Sequence, residues 1–302
     1  EISACLVGSE MCIRDSLIGD WDRHADQWKW SETQDENGKM HYKPIPRDRD
    51  QVYSDFDGFI LGALTTLTPP LRFMQRYDAS YNHVKWYNDA GDDVDLAILK
   101  NHTQKDWIEE ALFIKANITE EVIEEAFANL PPEMDQEKVA RVKRALKGRL
   151  NNIEENAINL YEYLAKCILI TGTDRQDKFI ITRMPNGKTR IVGERHTTEE
   201  MGEVFWDVTY DRSDTKEIWI YGLADNDYFT IEGKGRRNIH IKIIGGNGND
   251  TYEATNQKNV KIYDHKSSEN TFKTPIKKML SDNYDLNTYY FKKHRRDLSN
   301  VT

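Results

Sequence analysis

The sequence predicts an α+β protein with a mainly helical first part, followed by a β domain of stacked, roll-like strands. Between Thr103 and Lys166 apolar residues recur at intervals of three and four, which is the spacing of one helix face. After Gly172 short segments alternate apolar and polar residues, the period of strands that bury one face. With 302 residues, 38% hydrophobic and 31% charged, the chain fits about two globular domains. We place their boundary near residue 170, giving domains 17–170 and 171–302.

Composition excludes two classes of partner. The net charge of −9 argues against nonspecific binding to nucleic acid, because such binding needs a basic face. No apolar run approaches the roughly 18 residues of a membrane span. The longest apolar stretches, such as Phe59 to Leu64, have the size of core segments. We therefore expect neither a nucleic-acid partner nor a transmembrane segment in this chain.

The first sixteen residues are expected to be non-native. The stretch "CLVGSEMCIRDS" fits neither a signal peptide nor a helix cap, and it resembles translated sequencing-adapter read-through. The fold would then start at Leu17 and the chain would be a fragment; the alternative is a genuine N-terminal strand. Setting aside Cys5 and Cys12 leaves Cys167, and one thiol supports neither a disulfide framework nor a zinc site.

The helical part carries a cap and a long apolar stripe. Thr119 is expected to cap one helix, and a second, long helix is expected after Pro131–Pro132. The apolar stripe of the long helix comprises Val139, Val142, Leu146, Leu150, Ile153, Ala157, Leu160 and Leu164. Basic residues crowd the same helix and are typical of a solvated face, with a phosphate-facing role as the alternative. They are Lys138, Arg141, Lys143, Arg144, Lys147 and Arg149.

The β part begins with two strands around an Asn186–Gly187 turn and continues with four short alternating strands. A shared interior is expected for Ile218, Ile220, Phe229, Ile231, Ile239, Ile241, Ile243, Val260 and Ile262. The side chains expected to point outward are Trp219, His240, Lys242 and Lys261. Positive φ angles are expected at Gly222, Gly233, Gly245 and Gly246. The polar tail after about Lys266 is expected to pack poorly.

A weak repeat connects residues 222–229, "GLADNDYF", with residues 245–252, "GGNGNDTY". The second copy resembles calcium-binding β-roll repeats, which makes Asp227 and Asp250 weak calcium candidates. Calcium rolls need adjacent copies, however, and only one good copy is present. The alternative is a pair of Asn-Asp turns that join stacked strands. Either way, the two aspartates should lie at equivalent turns.

The opening stretch "GDWDRHADQW", residues 19–28, is followed by a hairpin connection at Asp35–Lys39 and by "PIPRDRDQ". Phosphoryl transfer needs an Asp that orients the attacking hydroxyl and further ligands that hold magnesium on phosphates. Asp22 fits the first role. The metal candidates are Asp26, Gln27, Asp48 and Asp50, in a pocket that we expect to be walled by Trp21, Trp28 and Tyr42.

The order "DRH", hairpin, Asp-containing strand resembles the catalytic and metal segments of atypical kinases of the lipid-kinase, HipA-like and CotH-type families. The resemblance implies a kinase C-lobe-like fold for residues 17–170, with Asp22 as catalytic Asp and His24 as its structural partner. It implies Mg²⁺ or Mn²⁺ with ATP, held in part by Asp48 or Asp50. Those families usually place Asn where this chain has Gln27, so either Asp26 substitutes or the site is degenerate. The glycine-rich lobe would lie upstream.

A broader resemblance covers nearly everything from Leu17 onward. "LIGDWDRHADQW", "YKPIPRDRDQ" and "IKIIGGNGNDTY" are similar to the middle of long Gram-negative envelope proteins. Those proteins carry a calcineurin-like metallophosphoesterase domain upstream and a surface-antigen-type β-barrel downstream. The resemblance implies both as covalently linked neighbours in a longer parent, and a periplasmic or outer-membrane location. The phosphoesterase activity does not transfer, because no "GNHE"-like segment is present.

The alternative interpretation of the opening stretch is a buried ion-pair network. Its arginines Arg23, Arg47 and Arg49 could neutralise Asp22, Asp48 and Asp50, which would leave no free ligand. The function would then be that of a non-catalytic spacer or interaction module between the two envelope domains. The acids outnumber the arginines, and this excess favours a metal site.

Overall fold

A computed structural model describes residues 2–36, 38, 40–80, 82–98, 103–196 and 202–290. The chain is α+β, as predicted, and divides into two compact units, a helical unit of Glu1–Leu164 and a β unit of Ala165–Thr302. The division falls a few residues before the expected position near 170. Among the described residues, the helices are all too short or too polar to cross a membrane.

The helical unit contains eight of the described helices and one hairpin. A 3-10 turn, Ala25–Gln27, leads into the antiparallel strands β1 (Trp28–Gln34) and β2 (Met40–Pro46), which confirms the predicted hairpin. The helices are α1 (Ile2–Ile18), α2 (Phe59–Leu67), α3 (Val84–Asn88), α4 (Asp92–Ile98), α5 (Gln104–Asn117), α6 (Glu120–Ala128), α7 (Gln136–Asn151) and α8 (Ile153–Leu164).

The predicted long helix is two helices, which corrects the sequence-based expectation. Asn152, with φ −98° and ψ 11°, ends α7, and α8 begins at the next residue. The apolar stripe nevertheless continues across the break, because Leu146, Leu150, Ile153 and Leu160 all belong to one buried cluster. The cap at Thr119 is confirmed, since its hydroxyl accepts the N–H of Val122 at 3.4 Å.

Helix α1 contributes to the core of the helical unit. Cys12, Ile13 and Leu17 are buried in the same cluster as Trp107 and Leu160. Part of the segment expected to be non-native therefore packs as core, and its origin stays a prediction. Helix α2 also differs from expectation, because it is less buried than its apolar sequence predicts. None of its residues is buried, and Phe59 is 93% exposed, so this apolar stretch is not core.

Several basic residues of α7 pair with protein groups, which leaves less support for a phosphate-facing role, and Arg149 departs from the expected solvated face. Lys143 contacts Glu124 at 2.6 Å, and Lys147 pairs with both Glu120 and Glu124. Arg149 is fully buried and donates to the carbonyl oxygens of Asp78 and Ser16 at 2.6 and 2.7 Å.

The β unit is built from two sheets. The chain alternates between them for much of its length, and each turn through both sheets is called a coil here. The strands are β3 (Cys167–Thr171), β4 (Asp177–Arg183), β5 (Lys188–Arg195), β6 (Val204–Asp211), β7 (Glu217–Ala224), β8 (Tyr228–Gly233), β9 (His240–Asn247), β10 (Thr251–Ala254), β11 (Val260–Asp264), β12 (Thr271–Phe272) and β13 (Lys278–Leu280), followed by helix α9 (Tyr284–Asn287). One sheet has the parallel order β13-β11-β9-β7-β3. The other has the order β12-β10-β8-β4-β5-β6, in which the first four strands are parallel and β5 and β6 form an antiparallel extension.

Alternation along the strands buries the predicted interior between the two sheets. All nine apolar residues expected there lie in one cluster, so this prediction is confirmed. Aromatic rings stack through that interior from coil to coil, with centroids 5.0–5.4 Å apart, in the order Phe179, Phe229, Tyr252, Phe272. The Asn186–Gly187 turn is also confirmed, with φ angles of 61° and 85°.

The outer face is more covered than expected, and the expectation of a poorly packed tail is wrong. Trp219 is buried in a second cluster with Tyr221, Tyr263 and Leu286, because α9 and the residues near it cover that face of the parallel sheet. Only His240 of the four outward residues is fully exposed. The tail after Lys266 supplies β12, β13 and α9 up to residue 290; residues 291–302 lie outside the described part.

Candidate functional site

The two segments of the predicted site meet at one open depression in the helical unit. Its lining is formed by His24, Asp26 and Gln27 from the 3-10 turn and by Arg47 and Asp48 from the end of β2. The Arg47 N–H donates to the Gln27 carbonyl at 2.9 Å, which closes the base of the hairpin and brings the segments together. The hairpin therefore brings the two segments together, as the sequence pattern predicts.

The local backbone leaves the His24, Asp26 and Asp48 side chains exposed, whereas Gln27 is buried. The His24 Nδ1 atom accepts the N–H of Asp26 at 3.3 Å and so caps the turn. A neutral His24 then carries its proton on Nε2, which lies 3.8 Å from Asp22 Oδ1. Asp48 has a φ of 50°, a left-handed conformation that Asp tolerates better than most residues. His24 therefore lies near the Asp22 carboxylate, beyond hydrogen-bonding distance, and its role as a structural partner stays a prediction.

Not every predicted ligand reaches the depression. Asp50 is exposed outside the lining, and its carboxylate accepts a hydrogen bond from the Gln51 side chain at 3.1 Å. Asp22 is partly exposed and is not part of the lining. The structure therefore favours Asp48 over Asp50 as the candidate metal ligand after the hairpin.

The predicted aromatic walls are absent from the lining. Trp28 is buried beneath the Arg49 guanidinium, whose Cζ atom lies 4.3 Å from the ring centroid. Trp21 packs on Phe73 with centroids 4.4 Å apart, and Tyr42 is exposed. These aromatic rings serve the core and the hairpin, so the depression is open to water instead of water-poor.

Two of the three arginines of the motif pair with acids other than those predicted. Arg23 and Asp95 are both buried and lie 2.6 Å apart. Arg49 pairs with Asp20 and lies 3.3 Å from Asp15. Burial raises the pKa of Asp15 to about 6, against the opposing effect of Arg23 and Arg49. The buried network therefore exists, but it does not neutralise Asp22, Asp48 or Asp50.

Sequence reasoning missed Asp15 and Asp95 for different reasons. Asp15 stands in the adapter-like segment that was set aside. Asp95 belongs to "DDVDLA" in α4, where the acidic run gives no sign that two of its members, Asp92 and Asp95, are buried. Arg47 forms no ion pair within the described ranges, and it lines the depression.

The donor chemistry of the depression fits magnesium. Asp26, Asp48 and Gln27 offer carboxylate and amide oxygens, the ligands of hard cations. The described residues contain no group of three or more His, Cys, Asp or Glu arranged to hold a metal by themselves. Magnesium commonly binds through one or two carboxylates, with water and substrate phosphates completing its shell. The set is therefore suited to a metal that arrives with a phosphate ligand.

The calcium candidates of the β unit occupy equivalent turns, so this aspect of the repeat prediction is confirmed. Asp177, Asp227, Asp250 and Asn270 each precede a strand of the second sheet. A side-chain oxygen of each later residue accepts the N–H of the one before it, at 2.7–2.8 Å. We name this ladder the Asp column. Its hydrogen bonds support the interpretation as Asn-Asp turns, and a calcium role stays a prediction.

Glycines in the facing sheet make room for the Asp column. A Cβ atom on Gly222 would lie 2.3 Å from Asp227 Oδ2, and one on Gly245 would lie 2.2 Å from Asp250 Oδ2. The predicted positive φ is present at Gly233 and Gly246. At Gly222 and Gly245 it is absent, because these positions need glycine for space.

Burial dominates the electrostatics of the Asp column. It raises the pKa of Asp227 to about 9 and, with the neighbouring Asp264 adding to the effect, that of Asp250 to about 7. The Tyr252 hydroxyl donates to Asp264 Oδ2 at 2.6 Å, whereas Asp227 Oδ2 is buried without a partner. Burial thus raises the pKa of both carboxyls, and a calcium role for them stays a prediction.

A scan against protein-family models, a search of curated proteins and a search of solved structures each found no match. The resemblances to atypical kinases and to envelope proteins thus remain predictions.

Proposed function

We propose that the helical unit carries a kinase-like, metal-dependent phosphotransfer site. The supporting observation is the depression in which the "DRH" segment and the end of β2 converge. In this proposal Asp48 and Asp26 bind a Mg²⁺ or Mn²⁺ ion together with the phosphates of ATP, and Gln27 stands where such families place Asn. The bound ion neutralises phosphate charge during transfer.

The chain's own residues would orient the reacting groups. In this proposal the Asp22 carboxylate accepts the proton of the attacking hydroxyl, and His24 Nε2 lies 3.8 Å from that carboxylate. Arg47, which lines the depression, supplies a positive charge for phosphate oxygens. The substrate would enter from solvent, since the depression is open and lacks aromatic walls.

A second candidate function is a non-catalytic spacer or interaction module. The buried pairs of Arg23 with Asp95 and of Arg49 with Asp20 favour it, because they assign much of the motif's charge to structure. Under either proposal, the longer envelope parent with its linked phosphoesterase and barrel domains rests on resemblance. Recovery of the full gene tests it, and a parent without a signal peptide and a downstream barrel would contradict it.

Titration of the chain with Mn²⁺, with and without ATP, tests the phosphotransfer site. Asp48→Asn should weaken Mn²⁺ binding in the presence of ATP more than about tenfold, since even outer-shell changes alter metal affinity by roughly 10–100-fold. Asp50→Asn and the exposed Asp57→Asn are matched controls that should bind as the parent does. Electron paramagnetic resonance of free Mn²⁺ gives the affinities directly.

Two outcomes would decide for the spacer. One is the absence of saturable Mn²⁺ binding with ATP. The other is binding that Asp48→Asn and Asp22→Asn leave unchanged. Loss in Asp50→Asn alone would move the metal ligand to that residue and contradict the assignment of Asp48.

A further inference from the structure

An exposed cluster of cations in the β unit has no acidic partners. Lys234, Arg236 and Arg237 form no ion pair with any residue of the described ranges. Elsewhere in the unit, exposed cations do pair, as Arg190 does with Asp207 through two hydrogen bonds of 2.6 and 2.7 Å. Three like charges within four residues repel one another, and a chain of net charge −9 has acids available to neutralise them.

These cations border an open depression. One wall is the loop from Lys234 to Arg237, which joins β8 to β9, and the other is the turn Pro185–Gly187 between β4 and β5. The two segments touch, because a Cβ atom on Gly187 would lie 3.4 Å from the Arg237 carbonyl oxygen. The depression is therefore a shaped recess with positive charge along one wall.

The loop is fixed by neighbouring coils. The Asn256 side-chain amide donates to the carbonyl oxygens of Gly233 and Gly235, each at 3.0 Å. The Gly235 N–H donates to the Arg183 carbonyl at 3.2 Å, and a Cβ atom on Gly235 would lie 2.4 Å from the Met184 carbonyl oxygen. Because the backbone is held in this way, the cations are presented from a preorganised support.

A buried cation lies on the strand that leads into the same turn. Arg183 is 1% exposed, donates to Thr189 Oγ1 at 3.1 Å and to the Lys258 carbonyl at 3.5 Å, and leaves its Nε atom without a partner. No described carboxylate pairs with it. Its charge adds to the positive field at this end of the coils, whereas the Asp column lies at the start of the same strands.

We propose that this depression binds a phosphate group, either as a free anion or as the headgroup phosphate of a lipid. Guanidinium groups match tetrahedral oxyanions through paired N–H donors, and Arg236, Arg237 and Lys234 all line this depression. This site belongs to the β unit, whereas the depression at His24 and Asp48 belongs to the helical unit. The two proposals can therefore be tested independently.

Calorimetric titration with inorganic phosphate and pyrophosphate, without divalent metal, tests the free-anion arm. The double variant Arg236→Gln/Arg237→Gln should bind at least about tenfold more weakly, as expected for loss of a charge-assisted hydrogen bond. Arg190→Gln removes a cation from the same unit and should leave binding unchanged. Asn256→Ala keeps every charge but frees the loop, so it should weaken binding if a built recess is needed.

Co-sedimentation with phosphatidylcholine vesicles, with and without phosphatidylglycerol, tests the lipid arm. Binding that requires phosphatidylglycerol and is lost in the double variant assigns the site to headgroups, and saturable phosphate binding without vesicle binding assigns it to the free anion. Equal binding by the double variant and Arg190→Gln would overturn the site, as would no saturable binding in either arm. Far-UV circular dichroism of each variant verifies that the β unit is folded.

Discussion

The two units bury carboxylates by different means. In the helical unit, Asp95 is sealed against the Arg23 guanidinium at 2.6 Å. In the β unit, Asp227 and Asp250 are equally buried, but backbone N–H groups take one oxygen of each and neither forms an ion pair among the residues that the structure describes. A counter-ion fixes the charged form of a carboxylate. When a buried carboxylate has hydrogen bonds but no counter-ion, its charge depends on the pH.

The difference also separates the charged residues that stabilise the fold from those that could bind a ligand. Arg23 and Arg49 belong to the motif that suggested catalysis. Asp95 neutralises Arg23 inside the core, however, and Asp20 neutralises the less buried Arg49. The side chains left at the surface, His24, Asp26 and Asp48, are those that can meet a ligand. A charged motif should therefore be divided by burial before any of its members is given a chemical role.

The largest expected effect comes from breaking the sealed pair. Arg23→Met leaves Asp95 buried without its cation and should lower the free energy of unfolding by about 3–5 kcal/mol. Urea denaturation followed by the helical circular dichroism signal measures this loss. Arg190→Gln, which breaks an exposed pair, should produce no measurable change. Equal stability of the Arg23→Met chain and its parent would show that other groups hold Asp95.

A smaller effect is expected from filling the space beside the Asp column. Gly222→Ala places a Cβ atom 2.3 Å from Asp227 Oδ2 and 2.4 Å from the Gly245 carbonyl oxygen. The overpacking should cost about 1–3 kcal/mol of stability, seen as a lower thermal midpoint for the β unit. Gly62→Ala is the control, because its Cβ meets nothing within 4 Å. An unchanged midpoint for Gly222→Ala would mean that the column can shift at no cost.

The most specific expected effect concerns pH, and it is small only per pH unit. The pKa of Asp227 rises from 3.8 to about 9 on folding because of burial and the nearby Asp250, Asp177 and Asp225. The folded chain thus binds this proton more tightly than the unfolded chain does. The resulting stabilisation is complete below pH 3.8 and is lost as the pH rises toward 9, with a slope of at most about 1.4 kcal/mol per pH unit.

Asp227→Asn should flatten that slope while keeping an oxygen for the Asp177 N–H. Asn270 already has this role in the next coil of the column, where its amide oxygen accepts the Asp250 N–H at 2.7 Å. The free energy of unfolding in urea, measured at pH 5 and at pH 8, gives the slope for each chain. Mass spectrometry of peptides from residues 217–254 reports the unfolding of the β unit in these measurements. A parent β unit that is more stable at pH 8 than at pH 5 would contradict the sign.

Most of the fold could be predicted because local patterns and tertiary packing agree. Period-two alternation placed Ile218, Ile220 and Ile241 in the interior, and Asn186–Gly187 specified its turn. Trp219 lies on the outer face as predicted, but its burial was not foreseen, because alternation gives the face of a strand but not what covers that face. The covering residue Leu286 comes from α9, more than sixty positions away in the sequence.

The candidate site was predicted in outline and missed in detail. The spacing of the "DRH" segment and the hairpin was enough to expect convergence, and the structure brings His24, Gln27 and Asp48 together. The partners of Arg23 and Arg49 depend on helix packing, which a linear motif does not encode. The cations Lys234, Arg236 and Arg237 could have been found from the sequence, since "GKGRRN" concentrates charge between glycines without any acid.

The rungs of the Asp column are unevenly spaced along the chain. Successive hydrogen-bonded rungs lie 50, 23 and 20 residues apart, yet the aromatic stack stays in step. The longest interval contains the whole β5–β6 hairpin, which leaves the pairing of β4 with β8 intact. Insertions at this corner of a coil are therefore compatible with an unbroken ladder. The β4–β8 connection is accordingly the place where this architecture can take on new sequence, and where a tag or a guest peptide could be grafted.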